Sequence, residues 1–105
     1  MAKTFLFVDV ETTGKNYEGA TWRNNELLSI SYMITNEQLE VQKTNSFVLH
    51  HEPKVVYDMN EYILKMHTKT GLIPAIFNSK VNKDDVENQM LKDLEDYKET
   101  TIIPA

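Results

Sequence analysis

Phe5-Leu6-Phe7-Val8-Asp9-Val10-Glu11-Thr12-Thr13-Gly14 is the stretch from which the rest of the chain can be read. It opens as a short apolar run rich in Phe and Val, the composition of a buried strand. It closes on two carboxylates and a glycine turn. Asp9 and Glu11 are two residues apart, so on an extended strand both side chains leave the same face. Two acids converging at the end of a buried strand are costly for a core. The arrangement makes sense around a divalent cation, because hard ions such as Mg²⁺ or Mn²⁺ take carboxylate oxygens. The bland alternative is a strand that frays into a polar turn with both acids in water.

Outward from that stretch, composition narrows the choices. A chain of 105 residues suits one small domain. It has no cysteine, which excludes disulfides and thiolate metal sites and is compatible with a reducing compartment. Met1-Ala2-Lys3-Thr4 runs directly into the strand, leaving no room for a signal peptide. No apolar run approaches the ~20 residues of a membrane helix. The expected setting is cytoplasmic, away from any membrane. Sixteen acids against eleven bases give a net charge of −5. That argues against tight binding of long duplexes, which calls for a basic surface.

Residues 15–25 read as a polar loop. Leu27 to Ile34 gives a second strand, with Leu28, Ile30, Tyr32 and Ile34 on one face. Asn36-Glu37-Gln38 reads as a hairpin turn, and Leu39 to Leu49 as a third strand with Leu39, Val41, Phe47 and Leu49 inward. His50-His51-Glu52-Pro53 invites a metal reading, but adjacent strand residues point to opposite faces, so a strand end breaking at Pro53 is the better one. Asp58 to Glu61 looks like a capping box, with Met59, Tyr62, Ile63 and Met66 facing the core. The turn around Gly71 ends that helix, and a short apolar segment follows from Leu72 to Phe77. The last helix starts at Asn82 or Lys83 and runs to about Lys98. Its apolar stripe is Val86, Met90, Leu94 and Tyr97; Asp84, Asp85, Glu87, Asp93, Glu95 and Asp96 are expected outward. Thr101-Ile102-Ile103 begins another strand.

The string D-V-E-T-T-G after F-L-F-V resembles the first motif of the DEDD family of 3′→5′ exonucleases, which have a ribonuclease H-like fold. The resemblance implies that Asp9 and Glu11 are catalytic residues holding Mg²⁺ or Mn²⁺, two ions in that family. It implies that Thr12 and Thr13 border the pocket for the 3′-terminal nucleotide. Tyr62 to Leu72 is similar to a region of oligoribonucleases in which an aromatic precedes His-Thr-x-x-Gly-Leu. There Tyr62 would pack on a substrate base and His67 lie near its phosphates. Taken alone, Tyr62 reads as a core residue and His67 as a helix-end histidine. The Thr12-Thr13 pair is closer to the proofreading and RNase T-like branch.

The implied fold class is α/β in an α+β arrangement. It is a partial ribonuclease H-like fold, an antiparallel three-stranded meander followed by helices. Residues 1–105 would be the N-terminal part of one exonuclease-like domain. The implied activity is metal-dependent 3′→5′ hydrolysis of short single-stranded RNA or DNA. A complete family member carries a second Asp after the next strand, then a His and a final Asp. The sequence ends at Pro104-Ala105, where that strand is expected to deliver the second motif. The chain is therefore expected to be weakly active or inactive by itself. The alternative is a non-catalytic nucleotide- or protein-binding module derived from an exonuclease. An unfinished sheet also exposes an edge, through which two copies could pair as a homodimer.

Overall fold

The computed structural model describes residues 3–14, 26–97 and 99–104; the loop expected over residues 15–25 lies outside them. Three strands, β1 (Thr4–Thr12), β2 (Leu27–Thr35) and β3 (Val41–Val48), form the antiparallel meander that the apolar alternation predicts. Leu28, Ile30, Tyr32 and Ile34 are all buried. A fourth strand, β4 (Thr100–Pro104), lies parallel to β1 on its other side, from Thr4 opposite Thr100 to Val8 opposite Pro104. The order β3-β2-β1-β4 makes β1 an interior strand. Among the described residues, four helices complete a mixed α/β architecture compatible with a partial ribonuclease H-like fold.

Asn36 builds the β2–β3 turn. Its side-chain oxygen accepts hydrogen bonds from the backbone N–H groups of Gln38 and Glu40 at 3.0 and 2.9 Å. Leu39 sits in this turn with a φ of 63°, so the strand starts two residues later than expected. Leu39 and Val41 are consequently exposed and do not face inward, whereas Phe47 and Leu49 do pack into the core.

The helices are α1 (Pro53–Tyr57), α2 (Glu61–Lys69), α3 (Leu72–Asn78) and α4 (Lys83–Leu94). Pro53 does not end a strand; it starts α1, where a missing N–H costs nothing and a fixed φ suits the first turn. The cap of α2 is Asn60, not Asp58, its side chain accepting from the Tyr62 N–H at 2.8 Å. Ile63, Leu64 and His67 face inward, while Tyr62 and Met66 are exposed. Met59 is buried as expected, but from the turn ahead of the helix. Gly71, at φ 82°, separates α2 from α3. Pro74 fits in α3 because it occupies the first turn, whose N–H groups have no partner within the helix. Asn82 and Asp85 form a reciprocal capping box at the start of α4.

Two apolar clusters hold these layers. Leu6, Ile30, Tyr32, Ile34 and Leu49 pack with Val86, Met90, Leu94 and Tyr97, so the stripe expected on the last helix does cover the sheet. Leu28, Val56, Met59, Ile73 and Ile76 form the second, with Val48, Ile63 and Leu64 against it. One acid departs from expectation. Asp93 is buried, accepting hydrogen bonds from the Tyr32 hydroxyl at 2.5 Å, Asn45 Nδ2 at 2.9 Å and Gln89 Nε2 at 2.9 Å. Seven residues separate it from Val86, two turns along the same face, so helical geometry carries it inward with the stripe.

Candidate functional site

Side chains alternate along β1, so Leu6 and Val8 face the α4 layer while Phe5, Phe7, Asp9 and Glu11 leave the opposite face. The pairing register continues that face across the sheet: Phe7 opposite Met33, Asp9 opposite Ser31, Glu11 opposite Ser29. Asp9 and Glu11 are both exposed. Each lines a different hollow. Asp9 borders an open groove of about 590 Å³ with Phe7, Met33, Thr44 and Ser46, and Glu11 borders a cavity of about 390 Å³ with Ser29, His67, Thr70 and Leu72.

The turn after β1 is held from several sides. Between Glu11 and Thr12 the register with β2 shifts, and Thr12 pairs with Leu27. Thr12 Oγ1 accepts from the Gly14 N–H at 3.2 Å. Thr13 is buried, its hydroxyl accepting from the Glu26 N–H and its own N–H donating to the Glu26 carbonyl, both at 3.1 Å. Gly14 has a φ of 68°, and a Cβ there would come within 3.1 Å of Ile63 Cγ1 on α2. Only glycine meets both demands without strain. The glycine of the motif thus serves the approach of α2, a reason that reading the turn alone does not supply.

His67 is buried and its Nε2–H donates to the Thr12 carbonyl at 3.2 Å. Of the residues expected at a site, the structure therefore brings Glu11, Thr12 and His67 together. Tyr62 is not with them. It is 74% exposed and does not line the cavity that Glu11 and His67 share. Five helical positions separate Tyr62 from His67, which puts their side chains well apart around the axis. His50 and His51 turn to different carbonyls, Nδ1 of His50 to Ile76 at 3.3 Å and Nε2 of His51 to Leu27 at 2.6 Å, in keeping with the reading that they do not share an ion.

Asp9 and Glu11 supply the hard oxygen donors that Mg²⁺ and Mn²⁺ prefer, on one face and open to solvent. Among the described residues no cluster of three or more His, Cys, Asp or Glu could hold a metal ion. A pair of ions ~3.5–4 Å apart needs a larger shell of carboxylates than two.

No protein-family model matches the chain. Curated relatives do. A probable oligoribonuclease of Dictyostelium discoideum is 28% identical over 104 residues, 98% of this chain and 52% of that protein. An oligoribonuclease of Francisella tularensis subsp. novicida is 25% identical over 92 residues, 87% of this chain and 49% of that protein. A probable oligoribonuclease of Drosophila melanogaster is 32% identical over 91 residues, 86% of this chain and 41% of that protein. The chain spans about half the length of the curated relatives it matches.

Proposed function

From a chain distantly related to oligoribonucleases over most of its length, we infer one part of a metal-dependent 3′→5′ exonuclease acting on short oligonucleotides. In this reading Asp9 and Glu11 bind Mg²⁺ or Mn²⁺. Thr12 and Thr13 border the place of the terminal nucleotide, with Tyr62 against a base and His67 beside its phosphates. The relatives' name favours short RNA over DNA. The observation that carries the reading is the pair of exposed carboxylates on one face of β1, set beside a cavity that Glu11 shares with His67. A divalent ion bound there would polarise a phosphodiester and lower the pKa of a bound water. The chain's own residues contribute position. His67 fixes the Thr12 carbonyl, and Thr13 fixes the turn against Glu26.

Among the described residues the ligands are too few for a two-ion site, so weak or no activity is expected of them alone. Calorimetric titration with Mn²⁺, with and without a nucleoside 5′-monophosphate, tests the reading. Saturable binding that disappears in Asp9→Ala supports it, and no binding at millimolar metal rejects it. Robust degradation of a short oligonucleotide by the purified chain would reject the claim of weak activity alone.

The shortage of a third acidic or histidine ligand among the described residues favours one other reading, a nucleotide-binding module without catalysis. It would bind the nucleotide equally well with metal removed. A homodimer would form through the outer edge of β4, where Ile102 is 66% exposed and no residue from Thr100 to Pro104 is charged. Light scattering at high concentration tests that edge, and a monomer would exclude it. Among the described residues no helix is long and apolar enough to cross a membrane, and a cysteine-free chain suits the cytoplasm.

A further inference from the structure

Glu11, Ser29 and Val48 are paired one to the next across β1, β2 and β3, so their side chains stand in a row on one face of the sheet. Neighbours in such a row have Cβ atoms about 4.5–5.5 Å apart. The row lines the cavity of about 390 Å³, together with residues of α2 and α3. That volume is near the lower end for a ligand pocket and suits a single nucleoside unit. The lining is graded. A carboxylate stands at one end and a hydroxyl in the middle, and at the other end Val48 belongs to the same apolar cluster as Leu72.

Three hydroxyls lie in or beside the cavity, and two of them are engaged. Thr70 Oγ1 donates to the His67 carbonyl at 3.1 Å, and Ser31 Oγ is 2.8 Å from Ser46 Oγ. Ser29 is half-buried, and its hydroxyl has no hydrogen-bond partner among the described residues. Such a group gains from a ligand that supplies the missing bond.

We propose, resting on the exonuclease reading above, that the Ser29 hydroxyl reads the 2′-hydroxyl of a ribose seated in this cavity, so that the site takes ribonucleotides ahead of deoxyribonucleotides. A nucleoside presents its 3′-hydroxyl, its 2′-hydroxyl and its base in that order along one edge of the sugar. The sheet presents a carboxylate, a hydroxyl and an apolar side chain in the same order, one strand spacing apart. Glu11 accepts from the 3′-hydroxyl, Ser29 bonds the 2′-hydroxyl, and the base lies toward Val48 and Leu72. A carboxylate has about four acceptor sites, so Glu11 can serve a hydroxyl and a cation together. A deoxyribose puts a methylene group opposite Ser29 and leaves that hydroxyl unpaired in a filled cavity.

The test is calorimetry of the 105-residue chain in millimolar Mn²⁺ with adenosine 5′-monophosphate and its 2′-deoxy and 3′-deoxy forms. The expected result is that the 2′-deoxy form binds about tenfold more weakly than the ribonucleotide, and that Ser29→Ala narrows this difference to about twofold or less. The weaker binding of the 3′-deoxy form should persist in that variant, because it belongs to Glu11. Ser31→Ala, one row away on the same face, should leave both ratios unchanged. Circular dichroism checks that each variant is folded, and Ser29→Cys takes the place of an alanine variant that is not. Equal binding of the ribose and 2′-deoxyribose forms by the native chain would overturn the assignment without any variant. A 2′-hydroxyl preference that survives in the folded Ser29 variant would overturn it as well. Either result leaves the exonuclease reading standing, whereas binding of none of the three nucleotides would overturn both.

Discussion

The Tyr32 hydroxyl donates to the Asp93 carboxylate at 2.5 Å, tying the middle of β2 to the last turn of α4. Asn45 and Gln89 donate to the same carboxylate, so one buried acid gathers donors from two strands and its own helix. Replacing Asp93 with Ala removes the acceptor and leaves the Tyr32 hydroxyl and the Asn45 amide short of a partner. The expected loss is about 2–3 kcal/mol in urea unfolding, with a smaller loss for Tyr32→Phe.

That cluster also sets two pH limits. Burial pushes the Asp93 carboxyl up, but hydrogen bonds from Tyr32, Asn45 and Gln89 and the charge of Lys43 outweigh it and hold the pKa below the usual 3.8. A depressed folded pKa gives stability that is present above 3.8 and lost as pH falls through the folded value. Acid unfolding should therefore be less steep in Asp93→Asn. Tyr32 is shifted the other way, to about 12, by burial and then by its bond to Asp93. Its contribution is complete below 10.0 and lost as pH rises through about 12. Phenolate absorbance should show one of the five tyrosines ionising late, and Tyr32→Phe should remove that step.

Gly14→Ala combines a left-handed backbone with a contact of 3.1 Å to Ile63. A loss of about 1–3 kcal/mol is expected by chemical denaturation. Adding Ile63→Ala relieves the contact but not the backbone, so in a double-mutant cycle the two changes should couple without full rescue.

His67→Ala leaves the Thr12 carbonyl without its imidazole donor beneath α2. A stability loss of about 1–3 kcal/mol is expected from the missing bond and the cavity left behind. The turn next to Glu11 loosens, so Mn²⁺ affinity should fall as well, measured by the same calorimetry.

Asp9→Asn and Glu11→Gln are expected to act on metal alone. Both side chains are exposed, so thermal unfolding without metal should change within about 0.5 kcal/mol. Mn²⁺ binding should be lost. A large drop in stability would mean that the acids serve the fold.

Much of this architecture was legible because it rests on periodicity. Alternation in β2 and the 86, 90 and 94 spacing in α4 each name a buried face, and burial follows it, with Tyr97 just past the helix packing on the same cluster. Legibility fails where one local choice depends on another. The cap of α2 lies at Asn60, two positions after Asp58, and packing turns Ile63, Leu64 and His67 inward while Tyr62 and Met66 face solvent. Pro53 breaks a strand and opens a helix with equal ease, and only the surrounding packing decides between them. The charge of Asp93 argues for an outward position, although its spacing from Val86 puts it on the buried face. The pairing of acids on β1 was plain from two-residue alternation. The bond from His67 to Thr12 joins residues far apart in sequence, and no local pattern signals it.

The parallel register that sets Thr4 beside Thr100 has a consequence for how the molecule comes into being. The strand bearing both acids is synthesised well before the strand that satisfies one of its flanks. Hairpin closure with β2 can proceed early, because those partners are near neighbours along the chain. The second flank must wait while the helices are made, and closing so long a loop is a slow, entropy-limited step. Until then β1 is a bare border with unpaired amides, the condition in which nascent chains are most open to misassociation.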